Sequence, residues 1–193
     1  MECYEMNRRQ FIYGTAAVAV PVLVGCDNDD EPIVSIDENY PIGPFGATST
    51  AEEVTVGLDL TGKTAMVTGC NSGLGFETMR VLAMRGAHVI GTGRNLEKAS
   101  KACSSISGKT TPVALELSDF DSIIECSDTV KKLGYPIDIL VCNAGINTFD
   151  ELDLVNGVER IFAVNHLGHF VLVNRLMPLL KKSKESRIVH VSS

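Results

Sequence analysis

A glycine-rich stretch follows the first apolar run of the central sequence and offers the chemistry of phosphate binding. Residues 68–75 read Thr-Gly-Cys-Asn-Ser-Gly-Leu-Gly, after an apolar run over 63–68 and before a helical pattern over 76–85. Glycines let the backbone approach a pyrophosphate, and a helix N-terminus presents unpaired N–H groups to an anion. A glycine-rich turn alone is weak support, but its place between a strand and a helix predicts a nucleotide site.

The end of the next predicted strand indicates which dinucleotide the site prefers. NAD-binding folds usually have an acidic residue there that accepts from the ribose 2′-OH, whereas an arginine can bind the 2′-phosphate of NADP. Residues 91–95 read Gly-Thr-Gly-Arg-Asn, with Arg94 and no acid. NADP is therefore the predicted cofactor and NAD the less favoured one. The alternative is that Arg94 is only a solvated residue at a helix start.

The spacing of apolar residues places these motifs in an alternating series of elements. The predicted strands cover 63–68, 87–92, 111–117, 137–142 and 187–191, and the predicted helices cover 76–85, 96–106, 122–133 and 154–182. Strands that alternate with helices form parallel βαβ units. We therefore predict an α/β fold, a Rossmann-type doubly wound parallel sheet, within a domain over 49–193 that is truncated after the fifth strand.

Several motifs, in order along the chain, resemble those of the short-chain dehydrogenase/reductase family, and most of all its retinol dehydrogenase-like branch. Residues 68–75 resemble its TGxxxGxG loop, and residues 142–145, Cys-Asn-Ala-Gly, resemble its NNAG motif. Asn165 resembles its helix asparagine, and residues 187–193 resemble the strand that bears its catalytic serine. The resemblance implies an NADP-dependent oxidoreductase that acts on an alcohol/carbonyl pair.

The resemblance also implies roles for individual residues. Asn165 would hold a water of the proton relay, and Ser193, with Ser192 as the alternative, would position the substrate oxygen. The implied cofactor-binding residues are Gly69, Asn71, Ser72, Gly73, Leu74, Gly75, Arg94, Asn143, Ala144 and Gly145. We expect no metal site, because His166 and His169 have no third ligand at a helpful spacing.

Two positions depart from the family's pattern without touching the hydride. Glu116 stands where the family commonly has an aspartate near the adenine, and Cys142 stands where it often has an asparagine. The longer side chain of Glu116 is expected to alter the contact with the adenine end of the cofactor.

The tyrosine and lysine that complete the family's proton-transfer unit have no counterpart in this sequence. A phenol with a pKa of about 10 is a poor acid or base at neutral pH unless a cation favours its ionised form. No Tyr-x-x-x-Lys occurs among the 193 residues. We therefore expect the chain to be the N-terminal part of a reductase and inactive alone. The alternatives are a non-catalytic dinucleotide-binding protein, such as a redox sensor, and a truncated gene product without independent activity.

The first 26 residues have the composition of a targeting segment. Arg8 and Arg9 precede a short apolar stretch, and residues 23–26 read Leu-Val-Gly-Cys. The arginine pair resembles a twin-arginine signal, and Cys26 resembles the lipidated cysteine of a bacterial lipobox. The apolar stretch is shorter than the roughly 18 residues that a membrane span needs. The alternative is an amphipathic or buried helix, and the true start is Met1 or Met6.

These signals predict a lipoprotein on the periplasmic side of the bacterial inner membrane, or a cytoplasmic protein if the signal does not function. Residues 27–48 are acidic and rich in proline and glycine, which is typical of a flexible tether. Thr50 and Glu53 then have the spacing of a capping box that opens a short helix, with a polar loop as the alternative.

The composition fits one acidic globular domain. The net charge is −7 and 45% of the residues are hydrophobic, with no cluster of lysine and arginine. That charge pattern argues against nucleic acid as the main partner. The six cysteines are scattered without metal-ligand spacing, and we interpret those in the predicted fold as small buried hydrophobes. The expected partners are a small alcohol or carbonyl substrate, the membrane through Cys26, and a second copy of a full-length form.

Overall fold

The computed structural model describes residues 44–147 and 152–192, which contain a five-stranded parallel sheet. The described residues form seven strands: β1 (Thr64–Val67), β2 (His88–Gly93), β3 (Thr110–Ala114), β4 (Ile139–Cys142), β5 (Leu154–Val155), β6 (Val158–Glu159) and β7 (Arg187–His190). Of these, β5 and β6 make a separate two-stranded sheet. The five-stranded sheet has the order β3-β2-β1-β4-β7, and every neighbouring pair is parallel. The predicted α/β doubly wound fold is confirmed.

Helices follow the strands on both faces of the sheet. They are α1 (Ala51–Val54), α2 (Gly73–Met84), α3 (Leu96–Ser104), α4 (Phe120–Leu133), α5 (Arg160–Phe162), a π-helical stretch (Ala163–Gly168) and α6 (His169–Leu180). The last three run on from one another without a break.

The core has two halves because successive side chains of a strand point to opposite faces. Met66 of β1 belongs to the half that packs against α4 and α6. Its neighbours Ala65 and Val67 belong to the half that packs against α2 and α3. β1 and β2 are buried along their whole length, which explains why their residues are apolar or small, with the exception of His88.

Local sequence signals set several helix ends. The predicted capping box is present, since Thr50 Oγ1 accepts from Glu53 N at 3.2 Å and Glu53 Oε2 accepts from Thr50 N at 2.7 Å. Asp119 caps α4 through Asp121 N, and Gly134 ends that helix in the left-handed region at φ +79°.

The first helix of the sheet domain begins earlier than the pattern indicates. The sequence predicts a glycine loop over 69–75 and a helix from Phe76, but α2 begins at Gly73. Gly73 and Gly75 therefore lie in its first turn. Apolar periodicity starts only where the helix faces the core, so it misses a first turn that packs against backbone.

The predicted helix over 154–182 is wrong in its first six residues. Leu154–Glu159 forms an antiparallel hairpin of β5 and β6, and the helical part begins at Arg160. The turn contains Asn156 at φ +50° and Gly157 at φ +78°. Asn-Gly is a strong signal for a two-residue hairpin turn because both residues tolerate positive φ, and the apolar spacing hid it.

The third strand is shorter than the predicted span over 111–117. β3 ends at Ala114, while Leu115 and Leu117 stay buried beyond it and join the half of the core under α4 and α6. Burial of apolar residues in the following loop mimics a longer strand.

Several expectations fall outside the described residues. The signal over 1–26 with Arg8, Arg9 and Cys26, the tether as far as residue 43, and Ser193 are among them. None of the helices in the described ranges is long and apolar enough to cross a membrane. Of the cysteines in these ranges, Cys70, Cys103, Cys126 and Cys142 are free and buried, as predicted.

Candidate functional site

A cavity of about 490 Å³ opens where β1, β2 and β4 end and the following loops begin. Seven of the residues implied as cofactor-binding line it: Gly69, Asn71, Ser72, Arg94, Asn143, Ala144 and Gly145. The carboxyl edge of an open parallel sheet, beside the strand where the order reverses, is where such folds bind ligands. The volume is in the range of small-molecule and cofactor sites.

The glycines allow close contact within the loop. Gly69 has φ +70°, and a Cβ there would lie 3.0 Å from the Cα of Ala144. A Cβ on Gly75 would lie 2.3 Å from the carbonyl oxygen of Gly69 and 2.4 Å from Asn143 Nδ2. Gly75 is thus required for packing of α2 under the loop, and any side chain there would displace the loop backbone.

The N-terminus of α2 has the character of an anion site. Its N-cap, Ser72, makes no side-chain hydrogen bond to the helix, and the first turn contains no acidic residue. The unpaired N–H groups and the positive end of the helix dipole are therefore open to an anionic ligand. Ser72 and the adjacent Asn71 line the cavity.

The hydroxyl of Thr68 joins the glycine loop to the loop after β4. Thr68 Oγ1 accepts from the backbone N of Asn143 and of Ala144, each at 2.9 Å. In return, Asn143 Nδ2 donates to Thr68 O at 3.0 Å. These bonds fix the glycine loop and the loop after β4 relative to each other. This explains why a threonine follows β1, since its hydroxyl links the end of that strand to the loop after β4.

Asn165 anchors the end of the same loop from the π-helical stretch. Its Oδ1 accepts from Ile146 N and its Nδ2 donates to Ile146 O, both at 2.9 Å. Both polar atoms of the amide are thereby engaged by backbone. A π-helical turn inside a helix is a frequent feature of functional sites. Asn165 also lies beside Gly145, since a Cβ added to Gly145 would be 3.4 Å from Asn165 Oδ1.

Charged side chains gather at the end of the cavity beside β2 and β3. Arg94 is exposed, directly follows β2, and has no ion-pair partner among the described residues. Glu116 turns one oxygen to Ser118, whose N and Oγ donate to Oε1 at 3.1 Å and 2.8 Å. Arg160 forms an ion pair with Asp153. Arg94 is thus the cation of this set that is free to meet a ligand.

Some implied residues lie elsewhere. Gly73, Leu74 and Gly75 are in the first turn of α2 and are not among the residues that line the cavity; Leu74 is 73% exposed. Ser193 is outside the described residues, while Ser192 is exposed. Cys142, which replaces the family's usual asparagine, is buried, and burial raises the pKa of its thiol to about 12.

Sequence reasoning missed several lining residues. They are Thr92, Gly93, Leu115, Leu117, Ser118, Ile146, Arg160 and Val164. Leu117 and Val164 come from elements 47 positions apart, so no local signal pairs them. The position of Thr92 and Gly93 at the end of a strand beside the glycine loop was a usable signal, since that edge of the sheet lines the site. Across residues 44–147 and 152–192 no group of three potential metal ligands occurs.

The sheet domain matches a known protein family. Residues 63–193 match the family model described as short chain dehydrogenase. The chain is 39% identical to the WW domain-containing oxidoreductase of Pongo abelii over 82% of its own length and 41% of that protein. It is 39% identical to retinol dehydrogenase 13 of Homo sapiens over 68% of its length and 41% of that protein. The chain thus spans less than half the length of these two curated relatives.

Solved structures of similar proteins have the same fold. A metagenomic short-chain oxidoreductase in complex with NADP superposes with a TM-score of 0.63 at 29% identity, over 69% of this chain and 63% of that one. The 3-ketoacyl-(acyl-carrier-protein) reductase of Brucella melitensis complexed with NADH superposes with a TM-score of 0.55 at 29% identity, over 64% of this chain and 52% of that one.

Proposed function

The chain belongs to the short-chain dehydrogenase family, and we propose that it binds NADP and serves an oxidoreductase reaction on an alcohol/carbonyl pair. The observation that carries this proposal is one cavity with two separate places for negative charge. The uncapped N-terminus of α2 lies at one place, and the unpaired Arg94 lies at the other. NADP has an anionic group for each place, the pyrophosphate for the helix N-terminus and the 2′-phosphate for Arg94.

The described residues fit such a cofactor. The pyrophosphate would lie against Asn71, Ser72 and the first turn of α2, where no side chain competes for the N–H groups. The adenine end would lie between Arg94 and the side of the cavity that Leu117 and Val164 line. The bound cofactor supplies the hydride acceptor or donor, while the protein binds and orients it. Both NADP and NADH complexes occur among similar structures, so the preference rests on Arg94.

The proposal is tested by measuring NADPH and NADH affinities of the full chain and of Arg94→Asp. We expect Arg94→Asp to weaken NADPH binding by roughly 10- to 100-fold, because a hydrogen bond to a charged group contributes about 1.5–3 kcal/mol. NADH affinity should change little. Lys101→Asp, with the same charge change on the exposed face of α3, is the matched control. An unchanged ratio of the two affinities in Arg94→Asp would overturn the NADP assignment.

Asn165 and Ser193 are the residues of this chain proposed to take part in catalysis. Asn165 holds the loop after β4, and Ser193 is the proposed group that positions the substrate oxygen. The 193 residues contain no Tyr-x-x-x-Lys to transfer the proton. We therefore propose that this chain binds the cofactor without turnover on its own. A non-catalytic dinucleotide-binding protein is the second candidate function, since the cavity and the anion site at α2 would suffice for binding alone. The DNA downstream of Ser193 distinguishes the two, since a continuing frame with Tyr-x-x-x-Lys supports the enzyme.

Location is a separate part of the proposal and rests on the sequence of residues 1–26. We propose export through Arg8 and Arg9 and lipidation at Cys26, with the domain held on the periplasmic side of the inner membrane. An exporter of folded proteins suits a domain that closes around a cofactor made in the cytoplasm. The remaining proposed partners are the small substrate and, for a longer form, a second copy of the chain.

A further inference from the structure

His169 is the first residue of α6 and contacts Thr68, which precedes the glycine loop, and Asn165 of the π-helical stretch. It is 3% exposed. Its Nε2 lies 3.0 Å from Thr68 Oγ1, and its Nδ1 lies 3.3 Å from the backbone oxygen of Asn165. The backbone N–H of His169 donates to His166 O, so the imidazole and not the main chain makes this contact with Asn165.

The hydrogen-bond count at Thr68 determines the direction of its bond to His169. A hydroxyl has one proton and two acceptor lone pairs. The N–H groups of Asn143 and Ala144 use both lone pairs of Thr68 Oγ1. The hydroxyl proton must therefore point away, either to Val141 O at 3.4 Å or to His169 Nε2 at 3.0 Å. The shorter contact requires an unprotonated Nε2.

The other ring nitrogen then carries the proton. A neutral imidazole has one donor and one acceptor, so Nδ1–H donates to the carbonyl oxygen of Asn165. Burial lowers the pKa of His169, opposed by the Asn165 carbonyl and assisted by repulsion from His190. His190, exposed at the end of β7, is the titratable group that acts on the ring; Thr68 and Asn165 are neutral. The surroundings thus favour the neutral ring that the hydrogen bonds require.

We propose that His169 is a positioning residue for dinucleotide binding, which as its Nδ1–H tautomer accepts the hydroxyl proton of Thr68 and ties the cofactor loops to the Asn165 helix. The inference rests on the proposed function. A proton on Nε2 would face a hydroxyl with no free lone pair. Thr68 would then have to release the N–H of Asn143 or Ala144, and both residues line the cavity. Dinucleotide affinity therefore falls when His169 is protonated.

The tautomer is measured directly and without cofactor, by ring ¹⁵N chemical shifts of the full chain at pH 7.5. The chain has four histidines, so the signals of His169 are assigned by their loss in His169→Gln. We expect Nδ1 to carry the proton and Nε2 to be unprotonated. A protonated Nε2 at this pH would overturn the proposal, whether or not the chain binds a dinucleotide.

The effect on binding is measured as NADPH affinity at pH 7.5 in the parent, in His169→Gln and in His169→Phe. Glutamine can accept from Thr68 and donate to Asn165 without titrating. At pH 7.5 we expect His169→Gln to bind within about threefold of the parent and His169→Phe to bind at least tenfold more weakly.

His166→Gln, at an exposed position of the π-helical stretch, is the control and should bind NADPH like the parent. Parental affinity in His169→Phe would overturn the proposal, and so would a loss in His169→Gln as large as that in His169→Phe. If the parent itself does not bind NADPH, the proposed function fails, and the tautomer measurement still decides the role of the ring.

Discussion

At the scale of single residues, the glycine loop depends on how closely backbone atoms approach one another. Gly75 lies in the first turn of α2, directly against the carbonyl of Gly69. Gly75 belongs to α2, and Gly69 lies in the loop two residues after the end of β1. The glycine thus acts through packing of the protein on itself, and the ligand is held by the geometry that this packing creates.

We expect Gly75→Ala to destabilise the fold by about 1–3 kcal/mol, the usual cost of overpacking a close-packed site. The new Cβ would lie 2.3 Å from Gly69 O, and the loop would have to shift. Chemical unfolding measures the loss, and NADPH affinity should fall in parallel. Gly46→Ala is the matched control, since a Cβ there meets nothing within 4 Å. Equal unfolding midpoints for the two variants would contradict the close contact.

At the scale of elements, Asp138 joins three parts of the fold at the end of the sheet opposite the cavity. Its Oδ2 accepts from Thr64 N of β1 at 2.9 Å, and its Oδ1 accepts from Ser183 Oγ at 2.8 Å and from Lys63 Nζ at 3.2 Å. Ser183 lies in the turn between α6 and β7. A single carboxylate thus fixes the start of β1, the approach to β4 and the turn before the last strand.

This carboxylate makes the stability depend on acid. Burial would raise the pKa of Asp138, but the hydrogen bonds from Thr64, Ser183 and Lys63 outweigh it and the pKa lies below its ordinary value. Because the folded-state pKa lies below the unfolded value of about 3.9, the stabilisation is complete above about pH 4. It is lost as the pH falls through the folded-state pKa.

We expect Asp138→Asn to lower the free energy of unfolding at pH 7 by about 1–3 kcal/mol, because the buried donors lose a charged acceptor. The difference from the parent should shrink as the pH is lowered below 4. Urea unfolding at several pH values measures both effects. Glu125→Gln, at an exposed position of α4, is the control. A gap between parent and Asp138→Asn that stays constant down to the lowest pH would refute this role.

At the scale of the whole molecule, the last strand leaves apolar side chains in the open. Ile188, Val189 and Val191 are 39%, 47% and 48% exposed, and β7 is an edge of the sheet. Exposed apolar edges favour association with other chains. We therefore expect low solubility of the isolated chain.

The isolated chain should show no turnover. NADPH oxidation with a panel of aldehydes and ketones should not exceed a buffer control, because the sequence contains no Tyr-x-x-x-Lys for proton transfer. Cofactor binding, measured on the same sample by NADPH fluorescence, serves as the control for a folded site. Turnover above the buffer rate that disappears in Ser193→Ala would show the expectation wrong.

Residues 1–26 should decide where the protein resides. We expect replacement of Arg8 and Arg9 by lysine to retain the protein in the cytoplasm, and Cys26→Ser to release it from membranes or block its processing. Stable attachment needs more than one acyl chain. Cell fractionation of the whole chain measures both effects, and Cys3→Ser is the matched control within the same segment. Parental distribution of both test variants would mean that the segment is not such a signal.

The amino-acid sequence alone predicts the alternating strands and helices, apart from the hairpin over 154–159, together with the parallel α/β fold and the glycine loop. These follow from local signals: apolar runs of strand length, helical spacing, and turn residues between them. The resemblance of ordered motifs added the family, which the comparisons confirm. The end of the second strand predicted Arg94, and the resemblance predicted the loop at 143–145; both line the cavity.

Only the tertiary structure decided how these parts meet. Thr68 and His169 are 101 positions apart, and Asn165 meets Ile146 from 19 positions away. No local pattern specifies such pairs, because they form only when helices pack on the sheet and bring side chains to the same edge. The hairpin at 154–159 was missed for a different reason, because its Asn-Gly turn is a local signal that the helical apolar spacing hid. The helix starts at Gly73, before the apolar spacing begins, because its first turn packs against backbone.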